Sequence, residues 1–133
     1  MLEIPEEIKK LCEKSIIAFS TCSPTGQPNT VAVACAVAIS PNQVLVTDNF
    51  FNKTRQNLIN NQQVSLTFWN LEQSLDGAGY QFKGTAQVIT TGELKEKVDQ
   101  MECNQGLAHK AAILVTITEI WDLANPHLIC QET

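Results

Sequence analysis

The chain has 133 residues, enough for one domain over 1–133, and its 44% hydrophobic and 17% charged content suits a folded protein able to close a core. Nine basic residues stand against fourteen acidic ones, a formal net charge of -5, which argues against a nucleic-acid partner because a phosphate backbone is held by a dense basic face. No apolar stretch approaches the length of a membrane-spanning helix and no basic segment followed by an apolar run opens the chain, so the expectation is a cytoplasmic protein with no membrane partner.

Five cysteines, Cys12, Cys22, Cys35, Cys103 and Cys130, are odd in number, widely spaced and mostly in apolar pattern positions. That predicts free buried thiols in a reducing compartment and no disulfide. No C-x-x-C occurs, and His109 and His127 lie in separate segments without ligands at metal spacing, so no metal site is expected. Nothing local marks a thiol as activated, and no catalytic side chain is assigned.

Ile4, Ile8, Leu11 and Cys12 recur at helical spacing, with Pro5 near the start and Glu6 and Glu7 in the first turn, which predicts an N-terminal amphipathic helix. Residues 16–22 form a β-rich run closed by Ser23-Pro24-Thr25-Gly26-Gln27-Pro28, turn chemistry that brings the next strand back as a hairpin. Over 30–40 the odd positions are Val31, Val33, Cys35, Val37 and Ile39, while the even ones are Thr30, four alanines and Ser40. This is the two-residue period of a single strand with one bulky and one small face. A face of alanines admits a flat ligand, a packed helix or a partner subunit, and the strand alone does not choose.

Pro41-Asn42 turns the chain into a short strand over 44–47, which runs directly into Asp48-Asn49-Phe50-Phe51-Asn52-Lys53-Thr54-Arg55-Gln56-Asn57-Leu58. There a strand ends and a helix over 52–60 begins at a Lys-Thr pair. The first turn of a helix presents unpaired N–H groups and a partial positive charge, and Lys53, Thr54 and Arg55 add side-chain donors, so the segment is a candidate phosphate site. In so acidic a chain two cations at such a place are not explained by a generally basic surface, although Lys-Thr at a helix start is also ordinary solvated sequence.

Strands over 64–71 and 80–90 follow, separated by a loop over 72–79 whose glycines suit it to folding over a site. Gly77-Ala78-Gly79 precedes a strand instead of joining strand to helix, and reads as linker rather than as a phosphate loop. Leu94, Val98 and Met101 mark the apolar stripe of a helix over 93–103. Residues 112–123 alternate again, with Ile113, Val115, Ile117, Glu119, Trp121 and Leu123 on one face. About six strands with hairpin-type links predict a mainly β fold with flanking helices, an antiparallel sheet curled into a small barrel.

The order of these pieces carries a resemblance: a helix, a Gly-Pro turn with Asn29-Thr30-Val31, a strand, Thr47-Asp48-Asn49-Phe50 leading into Lys53-Thr54-x-x-Asn57-Leu58, then Val64 to Phe68 and Tyr80-Gln81-Phe82-Lys83-Gly84. From Ile4 to Leu123 the chain resembles the pyridoxamine 5'-phosphate oxidase-like FMN-binding split-barrel family, especially its short single-domain members. The resemblance implies an antiparallel split β-barrel and a homodimer holding two FMN molecules at the subunit interface, each touched by both chains. It puts the FMN phosphate on Lys53 and Thr54 with Arg55 nearby, the ribityl and ring along Asn29, Thr30 and Val31, and the isoalloxazine edge at Thr47, Asp48, Asn49 and Phe50. Trp121 is then a contact from the partner chain or, equally, core or interface filler.

The implied activity is that of an oxidoreductase or electron-transfer flavoprotein, with a nicotinamide or another small redox partner supplying or taking electrons. The family's vitamin B6 oxidases carry an extra basic C-terminal part, whereas here Pro126-His127-Leu128 is no basic cluster, so vitamin B6 oxidation is not expected. Alternatives are a flavin-binding or flavin-sensing dimer without turnover, and a split barrel using deazaflavin or haem; haem would take its axial ligand from His109 or His127.

Overall fold

A computed structural model describes residues 2–70, 79–124 and 127–131. In chain order these form α1 (Glu6–Lys14), β1 (Ile17–Cys22), β2 (Pro28–Val33), β3 (Val37–Ser40), β4 (Gln43–Asp48), α2 (Lys53–Asn60), β5 (Gln63–Phe68), β6 (Tyr80–Ile89), α3 (Glu93–Gln100), a 3-10 turn at Glu102–Asn104, β7 (Ala111–Asp122) and β8 (His127–Gln131). All pairings are antiparallel, in the order β2-β1-β5-β6-β7-β4-β3, with β8 added on β7. β7 is the longest strand because it serves three neighbours: β6 along most of its length, β4 from Ala111 to Thr116 and β8 from Glu119 to Asp122.

The two ends of the path, β2 and β3, are consecutive in the chain and joined by residues 34–36. The sheet is therefore curled, and the inward side chains of its strands meet in one core. Ile17 and Phe19, Val33, Val44 and Val46, Val64, Leu66 and Phe68, Phe82, and Ile113, Val115 and Ile117 all belong to it. Phe68 meets Phe82 edge to face at 4.9 Å between centroids, a favoured aromatic geometry. α1 buries Ile8, Leu11 and Cys12 on this core. Around α1, the Glu13 carboxylate accepts the Ala38 N–H at 2.9 Å and the Ile4 N–H donates to the Pro41 carbonyl at 2.8 Å, so the exposed edge of β3 is partly covered.

β4 is buried at five positions in a row because both its faces are covered. Val44 and Val46 point to the barrel core, while Leu45 packs with Val98 of α3 and Ala112 in a second cluster on the other side of the sheet. A continuous apolar run is the pattern of a strand buried on both faces.

The expected single strand over 30–40 is two strands. Cys35 sits at φ 65, in the left-handed region, and breaks the ladder. The break also inverts the face. Val31 and Val33 face the barrel core, but beyond Cys35 it is Ala36 that joins that core, while Val37 and Ile39 turn to the second cluster beside α3. The alanines therefore do not share one face: Ala32 and Ala34 are exposed, and Ala36 is buried.

The expectation of no disulfide is also corrected. Cys35 and Cys103 are joined, with their Cα atoms 6.3 Å apart and 68 residues between them in sequence, and Cys12, Cys22 and Cys130 are free. Sequence spacing carried no signal of this pair, which the crossover and the 3-10 turn bring together in space. Further differences are local. The helix over 93–103 stops at Gln100, since Met101 is extended at φ -66, ψ 130. β8 adds a strand not foreseen, and β5 ends at Phe68. The loop reading over 72–79 lies outside the described residues except for Gly79.

Lys83 and Gly84 mark a register shift between β6 and β7. A Cβ on Gly84 would run into the Thr116 carbonyl of the neighbouring strand, so the bulge needs a residue without a side chain.

Candidate functional site

The β4–α2 corner is built by Asp48. Its side chain is wholly buried; one carboxylate oxygen accepts the Phe51 N–H at 3.0 Å, and the other accepts two bonds from Arg55, from Nε at 2.7 Å and from a terminal nitrogen at 2.5 Å. Asp48 thus fixes the turn before α2, and the Arg55 guanidinium, donating twice to one oxygen, compensates its buried charge. Its carbonyl accepts the Lys110 N–H at 2.8 Å. Arg55 is committed to Asp48 and is not the free cation beside Lys53 that the sequence suggested.

α2 then starts at Lys53, which is exposed, and no side chain caps the helix. The Asn52 side chain instead accepts from Gln56 within the helix at 3.3 Å. The first N–H groups of α2 and the Lys53 ammonium therefore present positive charge together at one surface.

Two bonds between amide and hydroxyl side chains seat α2 on the first hairpin. Asn29 Nδ2 donates to Thr54 Oγ1 at 3.1 Å, and Asn57 Nδ2 donates to Thr21 Oγ1 at 3.0 Å. Thr54, Asn57 and Thr21 are buried, with 1%, 2% and 3% exposure. The structure thus brings the β2 and α2 candidates into contact across 25 residues of sequence. It divides the ten candidates by what they present. Thr30, Phe50 and Lys53 are exposed; Asn29, Val31, Asn49 and Trp121 are half-buried; Thr47, Asp48 and Thr54 are turned into the protein and hold the corner. Phe50 is 77% exposed, a large apolar side chain beside the Lys53 surface.

Asn104, which sequence reasoning missed, is fully buried and organises the other side of the corner. Its amide nitrogen donates to Thr47 Oγ1 at 2.9 Å and to the Val98 carbonyl at 2.8 Å, and its oxygen accepts from Asn49 Nδ2 at 3.1 Å. Asn49 Oδ1 in turn accepts the His109 N–H at 2.7 Å. A single Asn in an aperiodic segment gives no local signal of such a role; Asn57, within Lys-Thr-x-x-Asn-Leu, stood in a motif but without a function assigned.

His109 lies beyond this network, with Nδ1 2.6 Å from Asp99 Oδ1, an oxygen that also meets Lys95 Nζ at 2.6 Å. Hydrogen bonds from Lys95 first, and from His109 second, hold the Asp99 carboxyl below its ordinary range. Asp99 is then a carboxylate, so His109 Nδ1 carries the proton and Nε2 is the open nitrogen. Among the described residues no group of three His, Cys, Asp or Glu side chains is placed to hold a metal ion, and no helix is long and apolar enough to cross a membrane.

Trp121 lies elsewhere in the same chain. On the outer face of the sheet the registers align Ala32, Ala18, Thr67, Gln81 and Trp121 in one row over five strands, and Thr30, Ser20, Ser65, Lys83 and Glu119 in the next. Four strand spacings of about 4.8 Å put Trp121 roughly 19 Å from the β2 end of its row. Its indole N–H donates to Glu119 at 3.0 Å and the Lys83 ammonium lies 5.6 Å from its ring centroid. Beside the second row, on the side away from Trp121, is a shallow groove of about 310 Å³ lined by Ser20, Cys22, Gln63, Ser65, Lys83 and Glu119 among others.

A curled antiparallel sheet with short helices at its ends and an exposed Lys53 at a strand-to-helix corner defines a split-barrel protein. The chain matches the pyridoxamine 5'-phosphate oxidase family over residues 4–124 and belongs to it. An uncharacterized protein of Methanocaldococcus jannaschii is 34% identical over 130 residues, covering 94% of this chain and 84% of that protein. Among solved structures, HupZ of Group A Streptococcus superimposes with a TM-score of 0.82 at 22% identity, covering 98% of this chain and 99% of the other. An FMN-binding protein of Syntrophomonas wolfei gives 0.70 at 14%, covering 86% and 84%, and HutZ, the heme storage protein of Vibrio cholerae, gives 0.66 at 16%, covering 92% and 96%. At these identities the structural likenesses establish the split-barrel fold.

Proposed function

We propose that the chain is an FMN-binding flavoprotein, an oxidoreductase or electron carrier, with the FMN phosphate at the β4–α2 corner. The observation that carries this is the convergence there of an exposed Lys53, an α2 start without a side-chain cap and the Asn29–Thr54 bond that sets β2 beside it. The fit is chemical: a dianion is matched by one ammonium and the N–H groups of a helix start, worth up to ~2 kcal/mol for the helix terminus and about 1.5 to 3 kcal/mol per charged hydrogen bond. Lys53 and the first amides of α2 would bind the phosphate, and Thr54, Asn57 and Asp48 hold them in place. Thr30, Val31, Asn49 and Phe50 would border the rest of the molecule. The flavin supplies hydride and single-electron chemistry when bound; the protein supplies position and electrostatics, and no side-chain acid or base is assigned.

The second half of the site is assigned to a partner copy. The rows of small and polar residues on the outer face end at Trp121, too far along the sheet to serve the same chain's corner, and a flat face of Ala, Ser and Thr lets a second copy approach closely. In that homodimer Trp121 of one chain completes the site of the other. Redox function is tested by reconstituting the protein with FMN and adding NADH, NADPH, dithionite or light without oxygen. Bleaching of the flavin band by at least one nicotinamide is the expected result; a bound flavin that none of the four reduces contradicts it.

One observation favours haem as the second reading. His109, with Nδ1 held by the Asp99 carboxylate and Nε2 open, has the arrangement of an iron-ligating imidazole, and HutZ shares this fold. A Soret band formed on adding haem and lost in His109→Ala would support it, and no band would remove it.

A further inference from the structure

We infer that Cys35 and Cys103 are a reversible thiol–disulfide site whose substrates are small disulfides and dithiols, and whose state sets how firmly residues 47–49 are held. The inference is independent of which cofactor the corner takes.

The two cysteines differ from the other three in pairing, and Cys103 also in being exposed. Their Cα atoms are 6.3 Å apart, within the span a disulfide bridges, and Cys103 is exposed while Cys35 is half-buried, so a small reagent reaches the pair. Cys12 is buried against the core, and burial pushes its thiol up to about 12, which keeps it unreactive. Cys22 ends β1 and Cys130 lies in β8, and both are free.

What the pair connects gives it consequence. Cys35 stands in the 34–36 crossover between the two barrel edges, in a left-handed backbone conformation that a residue with a side chain adopts only under constraint from its surroundings. Cys103 lies in the 3-10 turn directly before Asn104, the buried side chain that holds Thr47 and Asn49. Closing the bond ties the crossover to that turn across 68 residues; opening it leaves the turn held by its hydrogen bonds alone. Residues 47–49 lead into the Lys53 corner, so the tether acts on the segment that shapes the site.

The chemistry balances as ordinary exchange. The thiolate of one cysteine attacks a small disulfide RSSR, forming a mixed disulfide and releasing RS⁻. The second thiolate then attacks the protein sulfur and releases the second RS⁻. Two electrons pass from the dithiol to RSSR, and the two protons released by the cysteines are available to the leaving thiolates. A dithiol such as dithiothreitol reverses the sequence.

The test uses the full chain equilibrated in oxidised glutathione or in dithiothreitol, then denatured and alkylated. Three alkylated cysteines, with a linked peptide containing residues 35 and 103, are expected after oxidation, and five after reduction. Amide hydrogen exchange then reads the coupling. The His109 and Lys110 N–H groups, bonded to the Asn49 side chain and the Asp48 carbonyl, should exchange about tenfold faster in the reduced protein, with no such difference between the two buffers in Cys35→Ser or Cys103→Ser. The wild-type comparison stands even if a variant fails to fold. Five alkylated cysteines after oxidation would overturn the site, and a formed bond with equal exchange at both amides would overturn its coupling to residues 47–49.

Discussion

Asp48 shows how one buried carboxylate fixes the corner between a strand and a helix. Its two oxygens hold Phe51 and Arg55, so the chain turns at a fixed angle and α2 begins with Lys53 facing outward. Removing it leaves a half-buried guanidinium without its partner and the buried Phe51 N–H unpaired. Asp48→Ala should therefore cost about 3 kcal/mol of stability, measured by urea unfolding, with loss of flavin binding as a secondary effect. Cys12 makes a different residue-scale prediction. The native chain keeps the Cys12 proton up to about pH 12, whereas the unfolded thiol releases it near 9.0. Between those values the native state binds the extra proton, so stability must fall as pH rises through that window and be unaffected by this group below it. Urea midpoints followed from pH 8 into the alkaline range should show that decline, and Cys12→Ala should flatten it while lowering stability near neutrality.

Among the elements, the β6–β7 ladder depends on one absent side chain. Because a Cβ at Gly84 meets the Thr116 carbonyl, Gly84→Ala should destabilise by about 3 kcal/mol in chemical denaturation, whereas Gly26→Ala, whose added Cβ has open space but whose φ is 93, should cost less. The elements also show what could be read from residues alone. Strands with alternating apolar positions, such as 64–68 and the 113–117 stretch of β7, and helices with an apolar stripe were legible because period alone specifies them. The expected single face from Ile113 through Glu119, Trp121 and Leu123 fails because the bulge opposite Gly84 inverts β7, so that Ile120 enters the core and Glu119 and Trp121 lie on the outer face. The Lys53 corner was legible because a strand end, a Lys-Thr pair and a helix start are adjacent in sequence. The Val31 to Ile39 run misled for a physical reason: its two-residue period continues through Cys35, but the backbone inverts there, and periodicity does not report a left-handed residue that tertiary contacts impose. Asn104, the Cys35–Cys103 pair and the Arg55–Asp48 bond were not legible because each depends on a partner that only the fold brings near.

At the scale of the molecule, we propose that the outer rows of small residues meet a second copy, whose Trp121 completes the site of the first. That arrangement predicts a complementation. Lys53→Glu and Trp121→Ala homodimers should each bind flavin poorly. A mixed dimer of the two has one site with both residues intact and one with neither, so it should retain about one flavin per dimer where the wild type retains two. Trp121→Ala homodimers that bind as well as wild type would separate Trp121 from the site. The central claim, that the β4–α2 corner holds FMN, is tested most directly by the visible absorption of wild-type protein and Lys53→Glu after each is given excess FMN and desalted, with circular dichroism confirming both are folded. A flavin band retained by the wild type and absent from Lys53→Glu is the predicted result. Equal retention by both proteins, or a colourless wild type, would contradict it.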